Sequence, residues 1–213
     1  MAMVILFAGG IRPLPPENEP TGMFKRACEA PVWLGSEGLA GDAQADRRVH
    51  GGPYKALHQY PVEHYARLAR AFPSAAAALV AGSLGENLSV PGWNEDSVAV
   101  GDVFRLGDAL VQVTQPRSPC WKIDRRHGVE GMTRFIAEQA LTGWYFRVLE
   151  EGEVAPGCGF ECIERPAPQA SVRRIFELRT GPQADRAELE AFADTPGLTP
   201  GWADKLRARA RGG

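Results

Sequence analysis

The apolar positions of this chain follow two different periods, and the change falls near residue 166. Before it, the apolar runs are short and rich in β-branched and aromatic residues, as in half-buried strands. Residues 2–7, 97–106, 109–114, 144–149 and 159–164 each read as a strand, with one or two more between 21 and 34. Gly107-Asp108 reads as a tight hairpin turn between two of them. The proline-rich residues 11–20 read as a surface loop. Helical spacing interrupts this pattern in three places. Val62, Tyr65, Leu68, Ala69 and Phe72 share one face behind Pro61 and stop at Pro73. Ser74 heads an alanine-rich helix over 75–81 that ends at Gly82, and a further helix is centred on 132–139. After Pro166-Ala167-Pro168 the period is helical throughout, through Val172, Ile175 and Phe176, then 187–192, then about 200–209 with Thr199 as cap. The prediction is a mainly β fold with inserted helices. Residues 1–166 form a closed or nearly closed β-barrel, and 167–213 form a small C-terminal subdomain of three helices.

Composition narrows the function classes. With 213 residues, 44% hydrophobic and 23% charged, the chain has the make-up of an ordinary globular domain with a full core. A net charge of −2 argues against a general nucleic-acid or membrane-surface binder. The apolar start of the chain lacks a basic segment and meets Gly9-Gly10 too soon for a signal peptide. Cys28, Cys120, Cys158 and Cys162 contain no C-x-x-C pair. The expectation is a cytoplasmic protein with reduced thiols.

The chemistry is concentrated in Gln115-Pro116-Arg117-Ser118-Pro119-Cys120. Two prolines fix φ twice and bias Gln115 and Ser118 away from helix, which makes a stiff loop at a strand end. Cys120, three residues from a guanidinium, is placed either as a thiolate that attacks an electrophile or binds a soft metal, or as a buried structural thiol. Arg47-Arg48-Val49-His50-Gly51-Gly52-Pro53 gathers two guanidiniums, an imidazole and a glycine pair. It reads as an anion site or as a solvated turn. Asn87 could give its amide to a ligand or close an Asx-turn, and Lys25 could point inward or snorkel outward. Cys158 and Cys162, four apart on one strand, read as core thiols. No zinc-ligand spacing, G-x-G-x-x-G or Walker sequence occurs.

Taken in order, Gly41-Asp42-Ala43-Gln44-Ala45-Asp46, Val49-His50-Gly51-Gly52-Pro53, Tyr60-Pro61 through Tyr65, Gly85-Glu86-Asn87-Leu88, Gly101-Asp102-Val103-Phe104 and the Cys120 loop resemble the MOSC-domain family. Within that family the resemblance is to the YiiM group. It covers about residues 2–165, and the helical tail fits the same group. The resemblance implies a β-barrel that binds the molybdenum cofactor (molybdopterin), with Cys120 as the protein ligand to the metal. Lys25, Arg48, His50, Gly51, Asn87, Arg117 and Ser118 would line the site, Lys25 on its phosphate side. It implies reduction of N-hydroxylated bases and hydroxylamines to amines, with His50 as the proton donor because imidazole titrates near neutrality. No flavin, NAD or iron–sulfur motif accompanies it, so electrons would come from an external flavin- or iron–sulfur-containing reductase. The partners are then that reductase and a small-molecule substrate, with no nucleic acid and no membrane, and a homodimer is compatible with this. The alternative reading is a carrier of sulfur or of the cofactor that uses Cys120.

Overall fold

A computed structural model describes residues 3–182 and 184–212. The first half of the chain supplies short strands: β1 (Ile5–Ala8), β2 (Arg12–Leu14), β3 (Glu19–Thr21), β4 (Arg26–Ala27), β5 (Val32–Gly35) and β6 (Gly38–Leu39). The single-turn helix α1 (Arg47–His50), β7 (Leu57–Gln59), α2 (His64–Ala71) and β8 (Leu88–Ser89) follow. The second half contains β9 (Val103–Leu106), β10 (Ala109–Pro116), α3 (Lys122–His127), α4 (Met132–Glu138), β11 (Trp144–Glu150), β12 (Gly152–Val154) and β13 (Phe160–Glu164). Three helices end the chain: α5 (Val172–Thr180), α6 (Arg186–Ala193) and α7 (Pro200–Ala210).

Eight strands make one sheet in the order β13-β9-β10-β11-β7-β8-β1-β4. All its pairings are antiparallel except β7 with β8. The sheet curls. Two register shifts in the β10–β11 pairing, at Leu110/Val111 and Val113/Gln115, add the local twist that bulges bring. Its edge strands β13 and β4 do not pair with each other, so the predicted barrel is a curled half-barrel. Its flanks are bridged by a small sheet, β12-β5-β6, and by a bond from the Gly157 amide to the Val4 carbonyl (2.8 Å). Inside the curl, Phe104 stacks on Phe160, and Trp93, Phe146 and Trp144 extend the aromatic core edge to face. A second apolar cluster sits under α2, α3 and α4 around Tyr60, Leu68, Ile123 and Ile136.

Three local expectations give way to packing. Residues 11–20 form the ribbon β2–β3 rather than a loop, with Pro13 opposite Pro20 where no ladder donor is required. The alanine-rich stretch folds as a 3-10 segment, Pro73–Ala78, because it is too short to propagate an α-helix and buries only Ala75. Residues 97–102 form no strand of the sheet: Ala99 makes only an isolated antiparallel bridge to Ser171, and the chain turns where the Asp102 carboxylate accepts from the Ala99 amide (3.0 Å) and Gly101 takes φ +93°. Thr199 is the N-cap residue of α7, as predicted, but only its carbonyl serves the helix; its hydroxyl donates to Gln115 Oε1 at 2.9 Å. α3 and β12 form in stretches for which the sequence predicts no element. Cys158 lies ahead of β13 rather than on it, and it and Cys162 are half-buried at the core edge.

The predicted three C-terminal helices form, and they pack into the same core as the sheet. Val172, Ile175, Phe176, Trp202 and Leu206 join one apolar cluster with Val98, Val100, Val111 and Val113. Backbone bonds from Val100 to Ala170 and from Val172 to Val98 (2.9 Å each) stitch the tail to the barrel. The seam is tight at Gly101, where an added Cβ would stand 2.4 Å from the Pro196 carbonyl oxygen. Gly101→Ala combines that clash with a disfavoured positive φ and is expected to destabilise by about 3 kcal/mol. A shift of the denaturant midpoint at unchanged m-value checks it; an unshifted midpoint would show that the seam can relax.

Candidate active site

The longest strand, β10, delivers the proline loop to the mouth of the main pocket. The Arg117 amide donates to the Gly143 carbonyl (3.0 Å), which ties the loop to the start of β11. Cys120 follows, immediately before α3; its carbonyl accepts from the Ile123 amide (2.9 Å) and from the Thr133 hydroxyl (3.1 Å). Both bonds orient the backbone that carries the half-buried thiol into the pocket wall.

Arg117 is 4% exposed, and its Nη1 has no hydrogen-bond partner. Among the described residues no carboxylate pairs with it. The buried ring of His58 lies in the same wall, its Nε2 also unpartnered. Burial, then the Arg117 charge, holds His58 well below the ordinary imidazole range. Burial raises the Tyr145 phenol, and Arg117 partly offsets that rise. Isolated buried cations are expensive, so a guanidinium with a free nitrogen in a cleft marks a place for an anion.

Asp42 organises the opposite wall. It accepts from the Gly9 amide (3.0 Å), Asn87 Nδ2 (2.9 Å), Gln44 Nε2 (3.3 Å) and the Lys25 ammonium. Lys25 therefore points inward, 4% exposed, but its charge is matched by Asp42. Burial lowers the Lys25 pKa, with Asp42 acting against the change. Asn87 faces the pocket with both amide hydrogens engaged, one on Asp42 and the other on the Phe7 carbonyl (3.2 Å). Its Oδ1 accepts from the His58 amide (3.2 Å), so Asn87 is a clamp between strands rather than a donor to a ligand.

His50 sits at the end of α1 with its ring half-buried in the pocket wall. Its pKa is lowered to about 4, first by burial and then by the charges of Arg117, Lys55 and Lys122. At neutral pH the imidazole is uncharged. This corrects the expectation that His50 titrates near neutrality: three cations face it and disfavour a fourth charge.

Three predicted site residues lie elsewhere. Arg48 is 90% exposed and pairs with Asp46, the carboxylate that caps α1. Gly51 closes α1 behind the wall residues His50 and Gln44 and does not itself line the pocket. Ser118 is exposed and accepts a bond from Arg179 of α5 (2.9 Å). In their place stand Asp42, Lys55, His58, Lys122 and Tyr145, which the sequence reading did not single out. Asp42 had a visible signal beside Gly41. Lys55 and Lys122 lie within a few residues of His50 and Cys120, but a lysine in a turn looks like solvent-facing charge. Four cationic side chains in the wall, Lys25, Lys55, Arg117 and Lys122, face two carboxylates, Asp42 and Asp46.

A family model for the MOSC domain matches residues 46–161. The chain is 34% identical over 198 residues to protein YiiM of Escherichia coli, covering 93% of this chain and 88% of that one. It is 40% identical over 186 residues to the uncharacterised protein YflK of Bacillus subtilis, covering 85% and 81%. The crystal structure of Escherichia coli YiiM superposes with a TM-score of 0.84 at 29% identity, covering all of this chain and 94% of that one. That of YiiM from Geobacillus stearothermophilus gives 0.81, covering 97% of each. The curled sheet, its inserted helices and the helical tail are thus common to these structures, and the chain belongs to the MOSC-domain family. Within that family it is a protein of the YiiM type. Among the described residues no helix is long and apolar enough to cross a membrane.

Two outcomes test the electrostatics. Arg117→Met replaces a buried cation with which, among the described residues, no carboxylate pairs, at the loss of its hydrogen bond with Tyr145. The variant is expected to melt higher than the wild type in the absence of ligand while losing anion binding; a lower melting point would mean that the bond to Tyr145 outweighs the cost of burying the charge. For His50, proton NMR of the wild type, with His50→Gln for assignment, should show a ring midpoint near pH 4. Because the folded pKa lies below the unfolded value, stability contributed at neutral pH is lost as pH falls from about 6.5 towards 4. His50→Gln should flatten its share of that slope, and a midpoint above 6 would contradict the assignment.

Proposed function

We propose that the chain binds the molybdenum cofactor in this pocket and reduces N-hydroxylated compounds, such as N-hydroxylated bases and hydroxylamines, to their amines. The observation that carries this reading is the buried Arg117, with one nitrogen unpartnered, in the same cleft as Cys120. The cofactor is an anionic pterin dithiolene with a phosphate tail, and the pocket offers what such a group needs. Arg117, Lys55 and Lys122 supply uncompensated positive charge, and the Cys120 thiol supplies a soft ligand. When bound, the cofactor supplies the two electrons that cleave the N–O bond; the electrons reach it from a separate flavin- or iron–sulfur-containing reductase.

The protein's share is position, charge and protons. The reaction R–NHOH + 2e⁻ + 2H⁺ → R–NH₂ + H₂O consumes two protons, and at neutral pH the uncharged His50 has only its N–H to offer. An anion bound among Arg117, Lys55 and Lys122 would offset the second cause of the low His50 pKa, the cationic charge, while burial, the first cause, stays. His50 therefore lies in the wall as a neutral imidazole whose N–H faces the bound group. Tyr145, held protonated by burial, adds an O–H to the wall.

The test is molybdenum per chain, by elemental analysis, in protein made where the cofactor is available, with Cys120→Ala alongside. Near-stoichiometric metal in the wild type that falls at least tenfold in the variant supports Cys120 as ligand. Hydroxylamine reduction with an artificial electron donor should follow the metal. A folded wild type without metal would remove the reductase reading, and labile sulfane sulfur on Cys120 would then point to a sulfur carrier.

A further inference from the structure

Beyond the pocket rim, the positive charge continues onto the helical tail. Lys55 is held at the rim by a bond from Nζ to the Val49 carbonyl (2.6 Å). Lys205 of α7 is close enough for its charge to lower the Lys55 pKa, after burial, and Arg179 of α5 is the main cause of the lowered pKa of Lys205. Arg179 is fixed in place. Its guanidinium lies 4.4 Å over the Trp202 ring, and Nη1 donates to Ser118 Oγ at 2.9 Å, two residues from Cys120. Among the described residues no carboxylate pairs with Lys55, Arg179 or Lys205. Five other arginines at and beyond the end of the barrel, Arg165, Arg173, Arg174, Arg186 and Arg207, each have one. Lys205 thus stands between Lys55 and Arg179, which are each held by a hydrogen bond, and the three cations form a preorganised site for a multiply charged anion.

We propose that Lys55, Arg179 and Lys205 form a phosphate subsite at the pocket rim, and that the preferred substrates are phosphorylated N-hydroxylated nucleosides rather than free bases. The substrate class rests on the reductase reading; the subsite does not. A guanidinium fork beside two ammonium groups matches a tetrahedral dianion better than a single carboxylate. The phosphate would anchor the substrate across the seam between α5, α7 and the pocket, leaving its base to enter towards Cys120. This accounts for a helical tail that holds the cysteine loop through Ser118: the tail contributes charge to the site as well as packing to the core.

The experiment is calorimetric titration of adenosine 5′-monophosphate, adenosine and inorganic phosphate into the full chain, prepared with and without cofactor supply. In both preparations the monophosphate is expected to bind roughly tenfold or more tightly than adenosine, as one or two charge-assisted bonds would give. The preference should shrink as salt rises, and it should be lost in Lys205→Ala and in Arg179→Gln, each checked for folding by thermal melting. Equal binding of adenosine and its monophosphate by the wild type overturns the proposal whether or not either variant folds. Monophosphate binding that disappears on cofactor loading also overturns it, since the rim would then hold the cofactor's own phosphate. A wild type that prefers the monophosphate but holds no molybdenum keeps the subsite and removes the reductase reading, so the two failures are distinguishable.

Discussion

The site side of the molecule is assembled around one buried carboxylate. Asp42 takes bonds from the end of β1, from Lys25 beside β4, from Asn87 beside β8 and from its own loop through Gln44. The Lys25 and Asp42 side chains are almost wholly buried, so either one left unpaired would carry a desolvation penalty. The loop over residues 41–46 must therefore close in one way. Once it does, one pocket wall is set and the Lys25 charge is neutralised.

Arg117 faces the opposite condition. Its backbone is held at the end of β10 and its side chain is buried, but among the described residues no carboxylate answers it. Lys25 and Arg117, both buried, thus have different consequences. The one with a carboxylate partner builds structure; the other leaves an attraction for an anion. His50 reports the same field, for its depressed pKa arises from burial and from Arg117, Lys55 and Lys122, which Asp46 offsets only in part.

The tail reinforces the loop that carries the chemistry. Thr199 reaches Gln115, Arg179 reaches Ser118, and the Thr199 amide reaches the Thr114 carbonyl (3.3 Å). Together with Gly143 on the other side, these contacts hold the last residues of β10 from both flanks. Stiffness that the prolines begin locally is completed by a segment some eighty residues later in the chain. The break in composition after Pro168 marks a change of secondary structure, not an end of the core.

Where local chemistry is strong, the sequence alone determined the outcome. Pro61 and the spacing of Val62 to Phe72 led to α2, Gly107-Asp108 turned the hairpin β9–β10, and the apolar period after Ser171 yielded three helices. Pro116 and Pro119 ended a strand in a loop that brings Arg117 and Cys120 to one cleft. These signals act within a few residues, through fixed φ, caps and apolar periodicity, and need no distant partner. Only the tertiary structure decided the remainder. The stretch at 75–81 had too little face to become an α-helix, and 97–102 alternated like a strand until Asp102 and Gly101 turned it. At the site, Arg48 looked no different in sequence from Lys55, yet Asp46 draws one outward while the turn after α1 sets the other at the rim. Whether a charged residue points inward depends on partners far away in the chain, and no local pattern encodes that.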